Sequence, residues 1–413
     1  MGDDDAHRSA HAAESLGRAL RARPHWIALG SGAWLSLVGQ LLARSPADSL
    51  HGSHRYFGFD FLSFGSAARV LLARPAALYD TGALSRAASA WLGYRVEALP
   101  FANPPLFAAE VVPFALLPFA AARVAWCACA AIACWVAART LAPSARRGAL
   151  AVGLLAFPPF AILIGAGQST WLAVLFTSLA AAFVRDDRAL SAGACVGALV
   201  YRPHWFLPML VVMTFAARRG RARLVLGALG VSAPVCAASY FAAPDAWRAF
   251  AAFARDVLPH FKEWARFQTA TGVGVRDFYR VLFPGAGAAR DAASLATIGV
   301  GLCAGALVIA RARPPWAWTF AAGSALTLWA SPHVSAYDWT LIGPPLLALW
   351  ESDERARSLV LGLAALVGLG VVALTLSDWQ IAVLGRGLHL PTIVLSYVTY
   401  VVVTSAAAGR RPS

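Results

Sequence analysis

Residues 358–376 read SLVLGLAALVGLGVVALTL, a run of nineteen without a single charge. A helix rises 1.5 Å per residue, so about 20 such residues cross the roughly 30 Å of bilayer hydrocarbon. Comparable apolar stretches recur from Trp26 to Val403, and the whole 413-residue chain is 59% hydrophobic with only 14% charged residues. Soluble domains carry about a quarter charged residues. The pattern predicts an all-α integral membrane protein, because each span must satisfy its own backbone polar groups in lipid.

The net charge of +14 does not point to nucleic acid, because the basic residues form neither an amphipathic stripe nor an aromatic-rich tail. They fall at the ends of the apolar runs instead. Arg18, Arg21 and Arg23 precede the first run, and pairs or clusters follow at Arg146/Arg147, Arg185/Arg188, Arg218/Arg219, Arg311/Arg313, Arg355/Arg357 and Arg410/Arg411. By the positive-inside rule these positions are cytoplasmic. The six cysteines lie within apolar runs without Cys-x-x-Cys spacing and read as small core residues. Residues 1–25, with Asp3, Asp4 and Asp5, read as a disordered cytoplasmic tail. A single transmembrane domain is expected over 26–408 and a short cytoplasmic tail over 409–413.

Thirteen apolar segments can be drawn, but thirteen crossings would place Arg410 and Arg411 outside. The segment 104–120 is the one expected not to cross, since it contains Pro104, Pro105, Pro113, Pro118 and Glu110. About twelve crossings remain. This threading leaves two large loops on the outer face, 45–103 and 244–290. Phe61 to Leu72 and Leu84 to Trp91 suit interfacial helices in the first, and the aromatic residues between Trp247 and Trp264 suit another in the second.

Ionisable groups are costly inside a bilayer, so those at the outer ends of spans are informative. Asp60, Tyr79, Asp80, Asn103, Gln168, Arg202, His204, His333, Tyr337 and Asp338 all fall on that face in this threading. Taken alone, Asp60 suits the N-cap of a helix starting at Phe61, and Asp80 suits the cap of the next one. Arg202 and His204, flanking Pro203, suit either a phosphate or the headgroup layer. His333 and Asp338 suit a hydrogen-bonded pair or two ligands of a metal. Gln168 suits either closing a turn or meeting a sugar hydroxyl.

As an ordered set these stretches resemble glycosyltransferase family 87, the bacterial membrane enzymes of GT-C type that use lipid-phosphate sugar donors. The resemblance rests on Asp60-Phe61, Ala68-Arg69, Ala77 to Asp80, Asn103 to Phe107, Pro113 to Pro118, Ala122 to Trp126, Gly167-Gln168, Arg202-Pro203-His204, Ser331-Pro332-His333 and Tyr337-Asp338. It implies a GT-C bundle of about 12 transmembrane helices with interfacial helices in periplasmic loops. It also implies an inverting transfer of a sugar, mannose and arabinose being the candidates, from a polyprenyl-phosphate donor to a glycan or glycolipid acceptor at the periplasmic face of the inner membrane. Asp60 would be the general base, Arg202, His204 and His333 the donor-phosphate ligands, and Tyr79, Asp80, Asn103, Gln168, Tyr337 and Asp338 the substrate-binding residues, with no metal and no cofactor. The chain departs from relatives in having Arg202-Pro203 in place of a frequent Lys-Pro, Gly65 where a bulky aromatic is frequent, and Glu110. The rival class is a polytopic transporter or lipid flippase; the missing sign of two related halves argues against it.

Overall fold

Prolines set where many of the helices begin. Pro105, Pro158, Pro203 and Pro244 each open a helix, where a missing N–H costs nothing and the fixed φ already fits. The computed structural model describes residues 58–98, 100–142, 154, 157–217, 219–258, 272–283, 287–352, 354–384 and 389–408. The expected tails 1–25 and 409–413, the first span 26–44, and the stretch of the second outer loop holding Phe261 and Trp264 lie outside them. The protein is 85% helix with no strand among the described residues.

In chain order the helices are α1 (Phe59–Ala73), α2 (Thr81–Leu92), α3 (Pro105–Ala115), α4 (Phe119–Leu141), α5 (Pro158–Ala166), α6 (Thr170–Arg185), α7 (Ala189–Gly197) and α8 (Pro203–Ala216). They continue with α9 (Arg221–Ala242), α10 (Pro244–Asp256), α11 (Val275–Leu282), α12 (Gly287–Ala312), α13 (Trp316–Ala330), α14 (Gly343–Ser352), α15 (Arg357–Leu384) and α16 (Leu390–Ala408). Four of these, α4, α9, α12 and α16, are long and apolar enough to cross a membrane. With the shorter apolar helices, they make this a membrane protein. Helix α3 is only about 16 Å long, roughly half the hydrocarbon thickness, and the turn at Leu116–Pro118 separates it from α4.

Helix α1 differs from the interfacial helix expected in the first outer loop. Residues Asp60 to Ala68 are all buried, on every side of the helix, whereas an interfacial helix leaves a polar face in water. The cover comes from aromatic side chains: Phe61 lies 5.2 Å from Trp126 and 5.8 Å from Trp91 between ring centroids, and Phe64 meets Phe107 edge-on at 4.9 Å. Gly65 accounts for the fit. A Cβ there would lie 2.2 Å from the Trp91 ring, so the bulk absent at position 65 is supplied by Trp91.

Helix α10 does behave as an amphipathic surface helix. Ala246 and Phe253 are buried while Arg248 and Arg255 are exposed. Phe253 stacks on Tyr79 at 4.8 Å, which ties the second outer loop to the first. The other end of that loop is tied down as well: the Val273 N–H donates to the Val334 carbonyl at 2.7 Å, and the Thr392 hydroxyl donates to the Gly274 carbonyl at 3.0 Å.

Helices α7 and α9 approach each other through glycine. A Cβ on Gly193 would lie 1.9 Å from the Leu224 carbonyl oxygen, one on Gly197 2.3 Å from the Ala228 oxygen, and one on Gly227 2.1 Å from the Leu190 oxygen. Gly193 and Gly197 are four residues apart, the small-xxx-small spacing that lets helix backbones touch in lipid. Since the obstacle is backbone, no side-chain rotation relieves it. Gly193→Ala and Gly227→Ala are each expected to cost about 1–3 kcal/mol by overpacking and to lower the midpoint of thermal inactivation in detergent. Gly230→Ala, on the same helix but with nothing within 4 Å of its Cβ, should leave that midpoint unchanged or raise it; equal midpoints for the three variants would contradict the close approach.

Candidate functional site

The site forms where the start of α1 meets the turn between α5 and α6. Gly58, at φ 86°, caps α1 and donates its N–H to the Gly165 carbonyl at 2.7 Å. Gly167, at φ 73°, ends α5, and a Cβ there would lie 2.5 Å from the Phe61 Cβ. Left-handed backbone and absent side chains at these two positions allow the close approach. Asp60 is therefore not the cap of α1; it lies in the first helical turn, directed at the following residue of the turn, Gln168.

Gln168 Nε2 donates to Asp60 Oδ2 at 2.8 Å. On its other side, Gln168 Oε1 accepts from Arg202 Nη2 at 2.5 Å and from the Ser169 N–H at 3.1 Å. Arg202 Nη2 also donates to Ser169 Oγ at 3.0 Å, and Nη1 to Asp338 Oδ1 at 3.3 Å. Asp338 in turn accepts from Thr170 Oγ1 at 2.8 Å and from the Ser335 N–H at 2.8 Å. The Arg202 guanidinium carbon lies over the Trp205 ring, 4.3 Å from its centroid. Two acids and one arginine, drawn from α1, the turn before α8, and the 3-10 turn Ala336–Ile342, are thus joined through one amide.

Burial decides the acidity of Asp60, which is 9% exposed. Loss of hydration raises its pKa from 3.8 to about 7; the Gln168 hydrogen bond and the Arg202 charge oppose this, and the Asp338 charge adds to it. The folded chain then binds a proton that the unfolded chain has released between about pH 4 and 7, so this group's contribution to stability falls as pH rises through that window. Ionised Asp60 costs on the order of 4 kcal/mol relative to a solvated carboxylate. Its Oδ1 accepts no hydrogen bond among the described residues.

Around this core the other residues singled out in the sequence divide into two groups. Tyr337 senses the charges of Asp60, Asp338 and Arg202, and His204 and His333 face each other edge-on with ring centroids 6.3 Å apart. His204 Nε2 is buried without a hydrogen-bond partner among the described residues, as is Arg202 Nε. Tyr79, Asp80 and Asn103 stand apart from the Asp60 cluster: the Tyr79 hydroxyl donates to the Asn103 carbonyl at 2.8 Å, and exposed Asp80 caps α2 by accepting from the Gly82 N–H at 2.8 Å. Sequence reasoning missed Ser169 and Thr170, although two hydroxyl residues directly after Gln168 in a turn are a legible signal. Trp126, which closes the Ala122 to Trp126 element of the resemblance, was given no role at the site; its Nε1 donates to the Gln168 carbonyl at 3.3 Å. Among the described residues, no three His, Cys, Asp or Glu side chains gather as a metal set would require.

Behind Trp126 lies an apolar cavity of about 290 Å³ between α3, α4, α6 and α9, lined by Phe107, Phe114, Trp126, Trp171 and Phe176 with Glu110 at its edge. Trp126 touches both this space and the polar cluster, since it lines the cavity and donates to the Gln168 carbonyl. Phe107 also stacks on Tyr201 at 5.3 Å, and the Tyr201 hydroxyl donates to the Ser169 carbonyl at 3.2 Å.

A buried carboxylate with a pKa raised toward neutrality, linked through one amide to an arginine, thus lies within a helical membrane bundle. The family model for glycosyltransferase family 87 matches residues 101–332, more than half of the chain. The chain belongs to that family and is a glycosyltransferase. No curated protein and no solved structure matches it. The matched segment includes Gln168, Arg202 and His204; Asp60 precedes it and is joined to it by the Gln168 hydrogen bond.

The Arg202–Asp338 pair is a buried bridge with both partners under a tenth exposed. Removing one partner leaves an uncompensated charge, which typically costs about 3–5 kcal/mol. Arg202→Met is expected to show a loss of that size in thermal or chemical denaturation, and Arg202→Met combined with Asp338→Asn should recover part of it. A double variant no more stable than the single one would show that the bridge is not the source of the loss.

Proposed function

We propose that this glycosyltransferase is an inverting enzyme in which Asp60 removes the proton from the acceptor hydroxyl. The observation that carries the reading is the Asp60 carboxylate itself: it is buried, oriented by Gln168, poised near neutrality, and has one oxygen without a hydrogen bond among the described residues. A general base works best with a pKa near the working pH. The acceptor oxygen attacks C1 of the donor sugar while its proton passes to Asp60, and the bond from C1 to the donor phosphate oxygen breaks with inversion. The phosphate leaves as an anion and needs positive charge more than a proton.

For the donor we propose a polyprenyl-phosphate sugar, with mannose or arabinose as the sugar, and for the acceptor a glycan or glycolipid. The apolar, aromatic-lined cavity beside the polar cluster suits a hydrocarbon chain arriving from the bilayer. His204 and His333 are the proposed phosphate ligands, the orphaned Nε2 of His204 being a site for one phosphate oxygen. Arg202 adds its field, but its terminal nitrogens already serve Gln168, Ser169 and Asp338, so its main part is to hold Gln168 against Asp60. Tyr337 and Asp338 shape the sugar pocket, while Tyr79 and Asn103 brace the loops around it. The arrangement is proposed to be a GT-C bundle of about twelve crossings in a bacterial inner membrane, with this site at the periplasmic face, a reading that the arginine distribution supports.

Two outcomes are expected with purified protein, polyprenyl-phosphate-linked labelled sugar and a lipid acceptor. Asp60→Asn should lower transfer by 10² to 10⁴, the usual contribution of a general base; a well-folded Asp60→Asn with full turnover would falsify the assignment. The profile of kcat/KM against pH should rise through an apparent pKa near 7 in the wild type. Gln168→Leu removes a bond that favours ionised Asp60, so its rising limb should move to higher pH, and a limb shifted to lower pH contradicts the assignment.

A further inference from the structure

A second pocket, rimmed by arginines, lies on the first outer segment. It encloses about 180 Å³ between the end of α1 and the first turns of α2 and is lined by Arg69, Arg74 and Arg86 over a floor of alanine and valine side chains. Arg69 and Arg74 follow Asp60 along α1 by about 14 and 21 Å of helix rise. The guanidinium of Arg69 lies over the Trp91 ring at 4.9 Å, and its Nε is buried without a hydrogen-bond partner among the described residues. Arg74 and Arg86 are exposed at the rim.

Three like charges around one small pocket repel unless an anion joins them. The protein supplies little compensation. Asp80 Oδ2 lies 3.8 Å from Arg86 in a solvent-exposed ion pair while its Oδ1 accepts the capping bond from the Gly82 N–H, and such exposed pairs contribute little; no carboxylate lines the pocket itself. Beside it, Leu72 is 57% exposed on α1. An apolar side chain next to arginines at a membrane surface is the pairing that a phospholipid meets, with acyl chain on one and headgroup on the other. Guanidinium forks match phosphate oxygens in geometry as well as charge.

We propose that Arg69, Arg74 and Arg86 form a binding site for a phosphate ester, presented by an anionic lipid headgroup or by a soluble phosphorylated molecule. The site is independent of the transfer reaction and of the assignment of Asp60.

The test is isothermal titration of the purified protein, in an uncharged detergent, with three probes: dihexanoyl-phosphatidylglycerol, dihexanoylglycerol and glycerol phosphate. Phosphatidylglycerol should bind and dihexanoylglycerol should not, and added salt should weaken the binding. Glycerol phosphate binding as tightly as the lipid supports a soluble source, and binding only by the lipid supports a headgroup. In Arg74→Ala/Arg86→Ala, affinity for whichever phosphate ester binds should fall at least tenfold at an unchanged melting temperature. Arg74→Lys/Arg86→Lys, which keeps the charge, should fall less. Equal binding of dihexanoylglycerol, no binding of either phosphate ester, or undiminished binding by the alanine variant overturns the proposal.

Discussion

The orientation of one amide, that of Gln168, fixes the polar centre of this protein. Arginine has only donors, so the side of Gln168 that faces Arg202 must present its carbonyl oxygen, and the side that faces Asp60 must present the NH₂ group. The direction of the chain of bonds follows from chemistry alone. Gln168 therefore donates to Asp60 in either protonation state and favours the ionised one. That bond and Arg202 oppose the desolvation of Asp60 without overcoming it, which leaves the carboxylate near neutrality and not fully ionised. An arginine in direct contact with Asp60 would have favoured the ionised form more strongly.

The backbone had to be shaped for that bond to exist. Gly58 and Gly167 both sit in the left-handed region, and both lie where α1 and the end of α5 touch. Their sequence neighbours, Asp60 and Gln168, are 108 residues apart. The aromatic side chains that bury α1 do the same work from the other side: Trp91, Phe107 and Trp126 exclude water from the helix that carries the acid. Burial of Asp60 and its raised pKa are one fact seen twice.

Much of this was open to reading in the sequence. Uncharged runs announced membrane helices, prolines announced where several begin, and the polar residues interrupting the apolar pattern included Asp60, Gln168, Arg202 and Asp338. Local chemistry also identified Asp80 as a cap. What local chemistry could not resolve was competition between neighbours: Asp60 has the side chain of a cap, but Gly58 has the backbone freedom, and the helix starts from the glycine. Nor could it show which residues meet. The Thr170 bond to Asp338 spans 168 residues, and the space left by Gly65 is filled by a tryptophan in another helix. The Gly193 to Gly197 spacing was visible, yet it acquires meaning only with Leu224 and Ala228 against it.

The separation of tasks between Arg202 and the histidines follows from counting donors. A guanidinium has five N–H groups in a fixed fork. Here Nη2 meets Gln168 and Ser169, Nη1 meets Asp338, the guanidinium carbon lies 4.3 Å from the Trp205 ring centroid, and Nε is buried. A grip on a phosphate through Nη2 would take that nitrogen from Gln168, whose contact orients Asp60. A base and a phosphate ligand that relied on the same arginine would interfere with each other. In the proposed reaction His204, whose Nε2 has no hydrogen-bond partner among the described residues and whose ring lies 6.3 Å from that of His333, avoids that conflict, which is why it is proposed as the group that meets the charge developing as the donor bond breaks.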